Sequence, residues 1–290
     1  QTVLGDYQSA KNVITAGSTT DLGALSSFSS RGPVKDGRIK PEIMAQGSAV
    51  ISCWGFNIYT STSGTSMASP GVTGGLALMY QRYRQLHSGN NPKNALIKAL
   101  LCNGAEDKGN TGPDYSYGFG WMNLNRSVDM LENNRYFTGN IAHTGVQTQT
   151  ITVPANTAQL KVLLYWNDPA ASVLAKPALV NDLDLEVTDP SAITHLPYLL
   201  DTVPANVNNP ATTGADHINN IEQVVIQNPA AGNYTVTVKG TSVTQNPPQE
   251  YFVVYDFIPV KTNLNYPFGG EKLMPGRIVN ITWEGYGGTA

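Results

Sequence analysis

Ser61-Thr62-Ser63-Gly64-Thr65-Ser66-Met67-Ala68-Ser69-Pro70 runs directly into the small-residue stretch Gly71 to Tyr80. The string predicts a loop that turns abruptly into a buried helix, with a hydroxyl held at the turn. Gly64 lets the backbone bend or approach a ligand closely. Ser66 stands where the helix begins, and there unpaired N–H groups and the positive end of the helix dipole favour negative charge. A serine nucleophile in acyl transfer uses such a setting, because its tetrahedral intermediate carries an oxyanion. The plainer reading is an N-cap serine in a Ser/Thr-rich loop.

The remaining chain decides between the two. Its 290 residues have room for two ordinary domains and a tail. With a net charge of −3 and no polybasic run, neither nucleic acid nor an anionic membrane is indicated as a partner. No apolar run is long enough to span a bilayer. A low charged fraction with many Gly, Ser, Thr, Asn and Tyr suits a loop-rich, β-rich protein of the secreted type. Cys53 and Cys102 are too few for a disulfide framework; one bridge between them is an alternative to two reduced core thiols, which is the default. The start, Gln1 to Asp6, has neither an initiator Met nor the regions of a signal peptide, so the chain is expected to begin within a longer polypeptide.

Gly64-Thr65-Ser66-Met67-Ala68-Ser69-Pro70 resembles the nucleophile motif of the subtilase family of serine proteases. The competing G-x-S-x-G elbow requires a glycine where Ala68 stands. Other segments carry the same resemblance in family order. Lys11 to Gly17 reads as a short buried strand, similar to one in the family's central parallel sheet. Ser26-Ser27-Phe28-Ser29-Ser30-Arg31-Gly32-Pro33 is similar to the family's S-x-F-S-S-R-G-P. Lys40-Pro41-Glu42-Ile43-Met44-Ala45-Gln46-Gly47 is similar to K-P-[DE]-[IV]-x-A-P-G and departs from it at Gln46. Ala49 to Ser52 is a second strand. From Met67 to about Leu86 the pattern is helical, apolar on all sides at first and therefore expected to be buried there. Gly71, Gly74 and Gly75 lower helix propensity and point to close packing against a sheet; many subtilases have histidine where Gly71 stands. Asn91-Pro92 supplies an N-cap and first-turn proline for a helix Lys93 to Cys102, with Ala95, Leu96, Ala99 and Leu100 on one face and Gly104 as its stop. Gly118 to Asn123 is similar to the family's G-x-G-x-x-[ND] turn, and Arg126 to Leu131 is a short closing helix. The resemblance runs over residues 1–133 and implies part of an α/β subtilisin-like catalytic domain, a parallel sheet with helices.

From about Tyr136 the texture changes. Thr148 to Val153, Leu160 to Trp166, Leu183 to Val187, Glu222 to Ile226, Tyr234 to Val238 and Tyr251 to Tyr255 are short β-branched or aromatic runs separated by turn clusters. Six such strands with no helix between them predict an all-β antiparallel sandwich or jelly roll over residues 134–259. This part resembles the β-barrel that follows the catalytic domain in some bacterial alkaline subtilases, through Leu179-Val180-Asn181-Asp182-Leu183-Asp184-Leu185 and Asn219-Asn220-Ile221-Glu222-Gln223-Val224. Residues 260–290 read as the start of a further β-module or a linker, since one or two strands make no domain.

A subtilase hydrolyses peptides with a serine nucleophile, a histidine base and an aspartate that orients it. In family order Asp, His and the oxyanion Asn precede the region matching Lys11 to Gly17, so only Ser66 is carried over as a catalytic residue, and Asn12 is not the oxyanion asparagine. His87 lies about 30 Å from Ser66 by helical rise. His143, His195 and His217 fall in polar turns of the β-rich part and read as surface histidines. The resemblance thus implies a secreted serine endopeptidase acting on polypeptides, of which this chain by itself lacks activity because a serine without its base is a weak nucleophile. The alternative is a β-sandwich binding module attached to a vestigial protease segment, but the β-rich part has one tryptophan, Trp166, and no aromatic platform.

A second candidate site is acidic. Asp182 and Asp184 alternate with Leu183, Leu185 and Val187, so the carboxylates share one strand face. Like charges side by side repel unless solvated or bridged by a cation. Asp216, Asn219, Asn220 and Glu222 form another oxygen-rich cluster. The resembling barrels bind calcium through these two segments, which implies structural calcium at Asp182, Asp184, Asp216 and Glu222, with Asp168 and Asp201 as weaker candidates. An ordinary solvated strand face and an Asn/Asp turn would read the same way.

Overall fold

A computed structural model describes residues 7–267 and 269–286; the opening segment Gln1 to Asp6 lies outside the described residues. After a 3₁₀ turn at Tyr7–Ser9, two short strands, β1 (Ala16–Thr19) and β2 (Ile43–Gln46), pair in parallel with Ala16 opposite Ile43. A hairpin follows, β3 (Val50–Trp54) with β4 (Ile58–Thr62). Three helices come next: α1 (Thr65–Leu86), α2 (Asn94–Gly104) and α3 (Leu124–Glu132). The rest is strand: β5 (Tyr136–Ile141), β6 (Val146–Val153), β7 (Thr157–Tyr165), β8 (Asp182–Thr188), β9 (Thr194–His195), β10 (Tyr198–Leu199), β11 (Thr212–Thr213), β12 (Ile221–Gln227), β13 (Gly232–Ser242), β14 (Gln249–Pro259), β15 (Lys261–Tyr266) and β16 (Thr282–Tyr286).

The strands expected after residue 134 form two four-stranded antiparallel sheets, ordered β12-β7-β14-β5 and β6-β13-β8-β9. Alternation along β7 explains how the first sheet is used on both faces. Leu160, Val162 and Leu164 join Leu183, Leu185 and Val187 of β8 and Tyr234, Val236 and Val238 of β13 in one buried cluster. Leu163 and Tyr165, pointing the other way, join Phe252, Val254 and the apolar residues of α2 in a second. The β-rich part is therefore the floor on which the helices pack, and the chain change near residue 134 is continuous in packing.

Four expectations shift. Residues 11–15 do not extend β1, because other groups take their backbone: the ammonium groups of Lys40 and Lys98 donate to the Val13 carbonyl, and the Thr15 N–H donates to the Glu42 carboxylate. The start of α1 is not buried on all sides; only Ala68, Val72, Gly75 and Met79 are buried. Of its glycines, Gly75 meets Leu124, where an added Cβ would lie 2.8 Å from a methyl, whereas Gly71 and Gly74 face open space. α2 instead is enclosed all round, from Ala95 to Gly104, including Lys98. The Lys98 ammonium is accommodated by Glu42, 2.7 Å away, which also pairs with Lys40. Burial alone would raise the Glu42 carboxyl, but the two ammonium groups outweigh it and hold the pKa below the usual value. The cysteines are both free: Cys102 is buried, its thiol pushed up to about 12 by that burial, while Cys53 sits exposed on the hairpin and is no core thiol.

Candidate active site and acidic cluster

Ser66 occupies the first turn of α1 and is exposed. No side chain caps this helix; Gly64 is its N-cap, and the Met67 N–H returns to the Gly64 carbonyl at 3.0 Å. The N–H groups of Thr65 and Ser66 belong to the first turn, where a helix supplies no acceptor. Pro70 lies inside the helix without an N–H, so the Ser66 carbonyl loses its i+4 donor.

The loop that presents Ser66 is anchored from β1 and β2. The Gly64 N–H donates to the Gly47 carbonyl at 2.8 Å, and the Gly47 N–H to Thr19 at 2.9 Å. A Cβ at Gly47 would lie 2.4 Å from Ser18 Oγ and 2.5 Å from the Gly64 carbonyl, so only glycine allows this close approach. Behind it the hydroxyls of Ser18, Ser26 and Ser48 form a chain with spacings of 2.8 and 2.7 Å. Much of the Ser-rich sequence 26–30 is thus used to support the loop.

Ser66 opens on a cavity of about 640 Å³ walled by Gln8, Val13 to Ala16, Ser30 and Pro41. Among the described lining residues there is no His, Asp or Glu. His87, at the far end of α1, stacks on Tyr83 with ring centroids 4.0 Å apart and meets the Tyr136 hydroxyl at 3.2 Å. His143 accepts from the Val243 N–H at 3.3 Å, and His195 meets Asp189 at 3.2 Å. None of these three rings lines the Ser66 cavity. The described residues thus place an exposed serine hydroxyl at an anion-favouring helix end, with no histidine among those lining its cavity.

The acidic residues do converge. Asp182 and Asp184 on β8 face His217, whose Nδ1 lies 2.8 Å from an Asp182 oxygen and 3.8 Å from an Asp184 oxygen. Glu222, from β12 in the other sheet, is 1% exposed and accepts the Leu185 N–H on β8 at 2.7 Å. One oxygen each of Asp182, Asp184 and Glu222 is buried with no partner. Burial drives the Glu222 carboxyl well above its usual pKa, reinforced by Asp216, Asp184 and Asp182. Burial and Asp184 likewise push Asp182 up to about 6, against the opposing pull of His217. Ligand atoms of Asp182, Asp184 and His217 lie within 4.8 Å of one another, a group from which Glu222 is absent among the described residues. Thr241 also donates to Asp184.

Asp216 is placed differently from its three expected companions. Its oxygens are engaged by the N–H groups of Ile218 and Asn219 and by the Asn219 amide, at 2.8, 3.1 and 2.7 Å, which makes it the holder of a turn beside the cluster. Asp168 is tied to Lys11 and to the N–H groups of Val180 and Asn181, and Asp201 caps an exposed turn at Val203 and Asn206. Sequence reading missed His217 because nothing local to it distinguishes a surface imidazole from one facing two carboxylates on a strand far away in sequence. Its neighbour Asp216 was the only available signal.

Ser66 therefore stands at a helix end beside a parallel strand pair, and the sequence comparisons bear on this same segment. Residues 1–120 match the model of the subtilase family. The serine protease/ABC transporter B family protein tagA of Dictyostelium discoideum is 28% identical over 280 aligned positions, covering 78% of this chain and 15% of that protein. Because residues 1–120 are well under 78% of the chain, that likeness reaches past the subtilase segment into the β-rich part. Subtilisin DY of Bacillus licheniformis is 34% identical over 124 positions, covering 43% of this chain and 40% of that protein. The PII-type proteinase of Lactococcus lactis subsp. cremoris is 45% identical over 76 positions, 26% of this chain and 4% of that protein. The chain thus spans less than half the length of each of these relatives. No helix among the described residues is long and apolar enough to cross a membrane.

Proposed function

We propose that this chain is the nucleophile-bearing part of a secreted subtilisin-like serine endopeptidase, with Ser66 forming the acyl-enzyme on polypeptide substrates. The observation that carries this reading is the exposed Ser66 in the first turn of α1, opening on a cavity of about 640 Å³. Ser66 Oγ attacks the scissile carbonyl, and the developing oxyanion is met by the Ser66 N–H and the positive end of α1. On this reading the histidine base, the aspartate that orients it and the oxyanion asparagine are not among the described residues lining the Ser66 cavity. The solvent-facing side of α1, with Gly71, Gly74 and Leu78, and the hairpin carrying Ile51, Trp54, Phe56, Ile58 and Tyr59 are exposed and uncharged. By itself the chain is inactive.

The units of this reading are residues 1–133 for the catalytic part, 134–259 for a β-sandwich that supports it, and 260–290 for the beginning of another module. Calcium is carried to Asp182 and Asp184, whose ligand atoms lie with His217 within 4.8 Å of one another, while Glu222 is tied to the Leu185 N–H and Asp216 orders the adjoining turn. Fluorophosphonate labelling of the isolated chain tests the catalytic reading. The expected result is no labelling of Ser66 above that of an unactivated serine, with labelling restored by adding the amino-terminal half of a subtilase domain. Rapid labelling of the isolated chain would refute the missing-base account.

A further inference from the structure

A second cavity, of about 600 Å³, lies where residues 9–38 meet the loop between β7 and β8. Ala10, Val13 and Val34 wall it from the first segment, and Ala170, Leu174 and Ala178 from the loop. Its size is that of a ligand pocket. Leu174 is 83% exposed and its neighbour Val173 92%, so an apolar partner seated here would remove both from water. The cavity adjoins the one at Ser66. Tyr7, Gln8 and Val13 line the Ser66 cavity, whereas Ser9 to Val13 line the second, so one strip of chain separates the two and Val13 faces both.

Its charged groups are unevenly satisfied. The Lys11 ammonium pairs with Asp168 and donates to the Ala178 carbonyl at 2.6 Å. Arg38 pairs with Asp36 at 2.7 Å and donates to the Ser9 carbonyl at 2.8 Å. Lys35 and Lys176 line the same cavity, are exposed, and have no ion pair among the described residues. The lining therefore carries an excess of positive charge on a chain whose net charge is −3. Within residues 170–175 the described backbone–backbone bond is that of the Ala175 N–H to the Ser172 carbonyl, 3.1 Å, which leaves main-chain donors and acceptors of this loop to a visiting chain.

We propose that this second cavity is a binding site for polypeptide, taking an apolar side chain flanked by carboxylates. The apolar side chain fills the space between Val34 and Leu174, and the carboxylates meet the Lys35 and Lys176 ammonium groups, which have no other counter-charge. A basic segment would bring like charge to the same rim, so the site selects acidic, apolar sequence. The inference rests on the endopeptidase reading in one respect: a polypeptide is the ligand expected beside a serine that acts on polypeptides. A substrate chain held here passes the strip Tyr7 to Val13 to reach Ser66, so the site favours substrates with such a segment away from the bond that is cut. Lys35 and Lys176 are specificity residues in this arrangement and touch no reacting atom.

Fluorescence anisotropy on the intact chain tests it without turnover. The probe is a fluorescein-labelled peptide with a Leu-Leu core flanked by glutamates, compared with the same core flanked by lysines. The expected result is saturable binding of the glutamate peptide, weakened by added salt and at least about tenfold tighter than that of the lysine peptide. Lys35→Glu combined with Lys176→Glu should reverse the preference; both side chains are exposed and unpaired, so folding is not at stake. Ala175→Trp, which fills the cavity, should weaken both peptides. No saturable binding, or equal affinity for the two peptides, would overturn the proposal. So would glutamate-peptide binding that ignores both the charge reversal and Ala175→Trp, since the peptide would then sit elsewhere. Displacement of the peptide by decanoate with a tighter affinity of its own would mark a pocket for small amphiphiles and overturn the polypeptide assignment. Fluorophosphonate labelling of Ser66 reports separately: labelling without peptide binding defeats this site alone, and peptide binding without labelling defeats the catalytic reading alone.

Discussion

α1 and α2 have sequences that promise the reverse of what they do. α1 begins with a small, apolar run and no Asp, Glu, Lys, Arg or His occurs between Glu42 and Arg82, yet only one stripe of it is buried. α2 carries Lys98 in its middle, yet it is enclosed on every side. The difference lies in what each helix finds to pack against. α2 lies on the outer face of the β12-β7-β14-β5 sheet with α1 and α3 over it, so even its lysine is taken in and paired with Glu42. α1 has β1, β2 and α3 on one side and solvent on the other. Apolar composition states a preference for leaving water; a partner surface decides whether the preference is met.

The sharpest way to break this comparison is to leave Lys98 without its counter-charge. Glu42→Ala strands two buried ammonium groups and should cost about 3–5 kcal/mol in urea unfolding. The exposed pair Arg82–Glu132, with both side chains about 40% exposed, should show less than about 1 kcal/mol when Glu132 is replaced by alanine. The pH dependence has a definite sign. Because the Glu42 pKa is lowered in the folded state, its contribution is fully present above the ordinary glutamate value and is lost as pH falls through the folded value. Glu42→Gln should therefore flatten part of the acid limb of a stability profile; an unchanged limb would show that Glu42 is not ionised in the fold.

Next in size is Leu100→Ala. Leu100 is fully buried on α2, so the change should cost about 2–5 kcal/mol, read as a lower denaturation midpoint with the slope unchanged. The smallest effect is expected for Leu78→Ala on the open side of α1, where Leu78 is 57% exposed; a change within about 0.5 kcal/mol is the outcome for an uncovered surface. A cost near that of Leu100→Ala would mean that α1 is covered in solution, and the difference between the helices would disappear.

The candidate sites were legible to different depths. Ser66, the glycine before its turn and the helix that follows can be read from a contiguous string, because a helix terminus is made by local chain geometry. The shared face of Asp182 and Asp184 was equally readable, since strand alternation is local too. Glu222 could be suspected from its cluster, but its role beside them depends on β12 and β8 facing each other from separate sheets. The sequence gives Asp216 and His217 adjacent places in one turn; the fold directs the carboxylate of the first back onto its own backbone and the ring of the second to Asp182.

What the sequence by itself determined was the placement of Ser66 at the start of α1, the alternation in the β-rich strands and the subtilase motifs of the first 120 residues. All of these depend on interactions within a few residues. Only the tertiary structure decided that α2 is sealed and α1 half open, that Glu42 serves two buried lysines, and that the turn from Asp216 to Asn220 bonds to Ile39 and Asn12 far away in sequence. Those outcomes depend on which surfaces, distant in the chain, are brought within hydrogen-bonding distance. Local pattern records what each segment prefers, whereas packing determines which preferences are satisfied together.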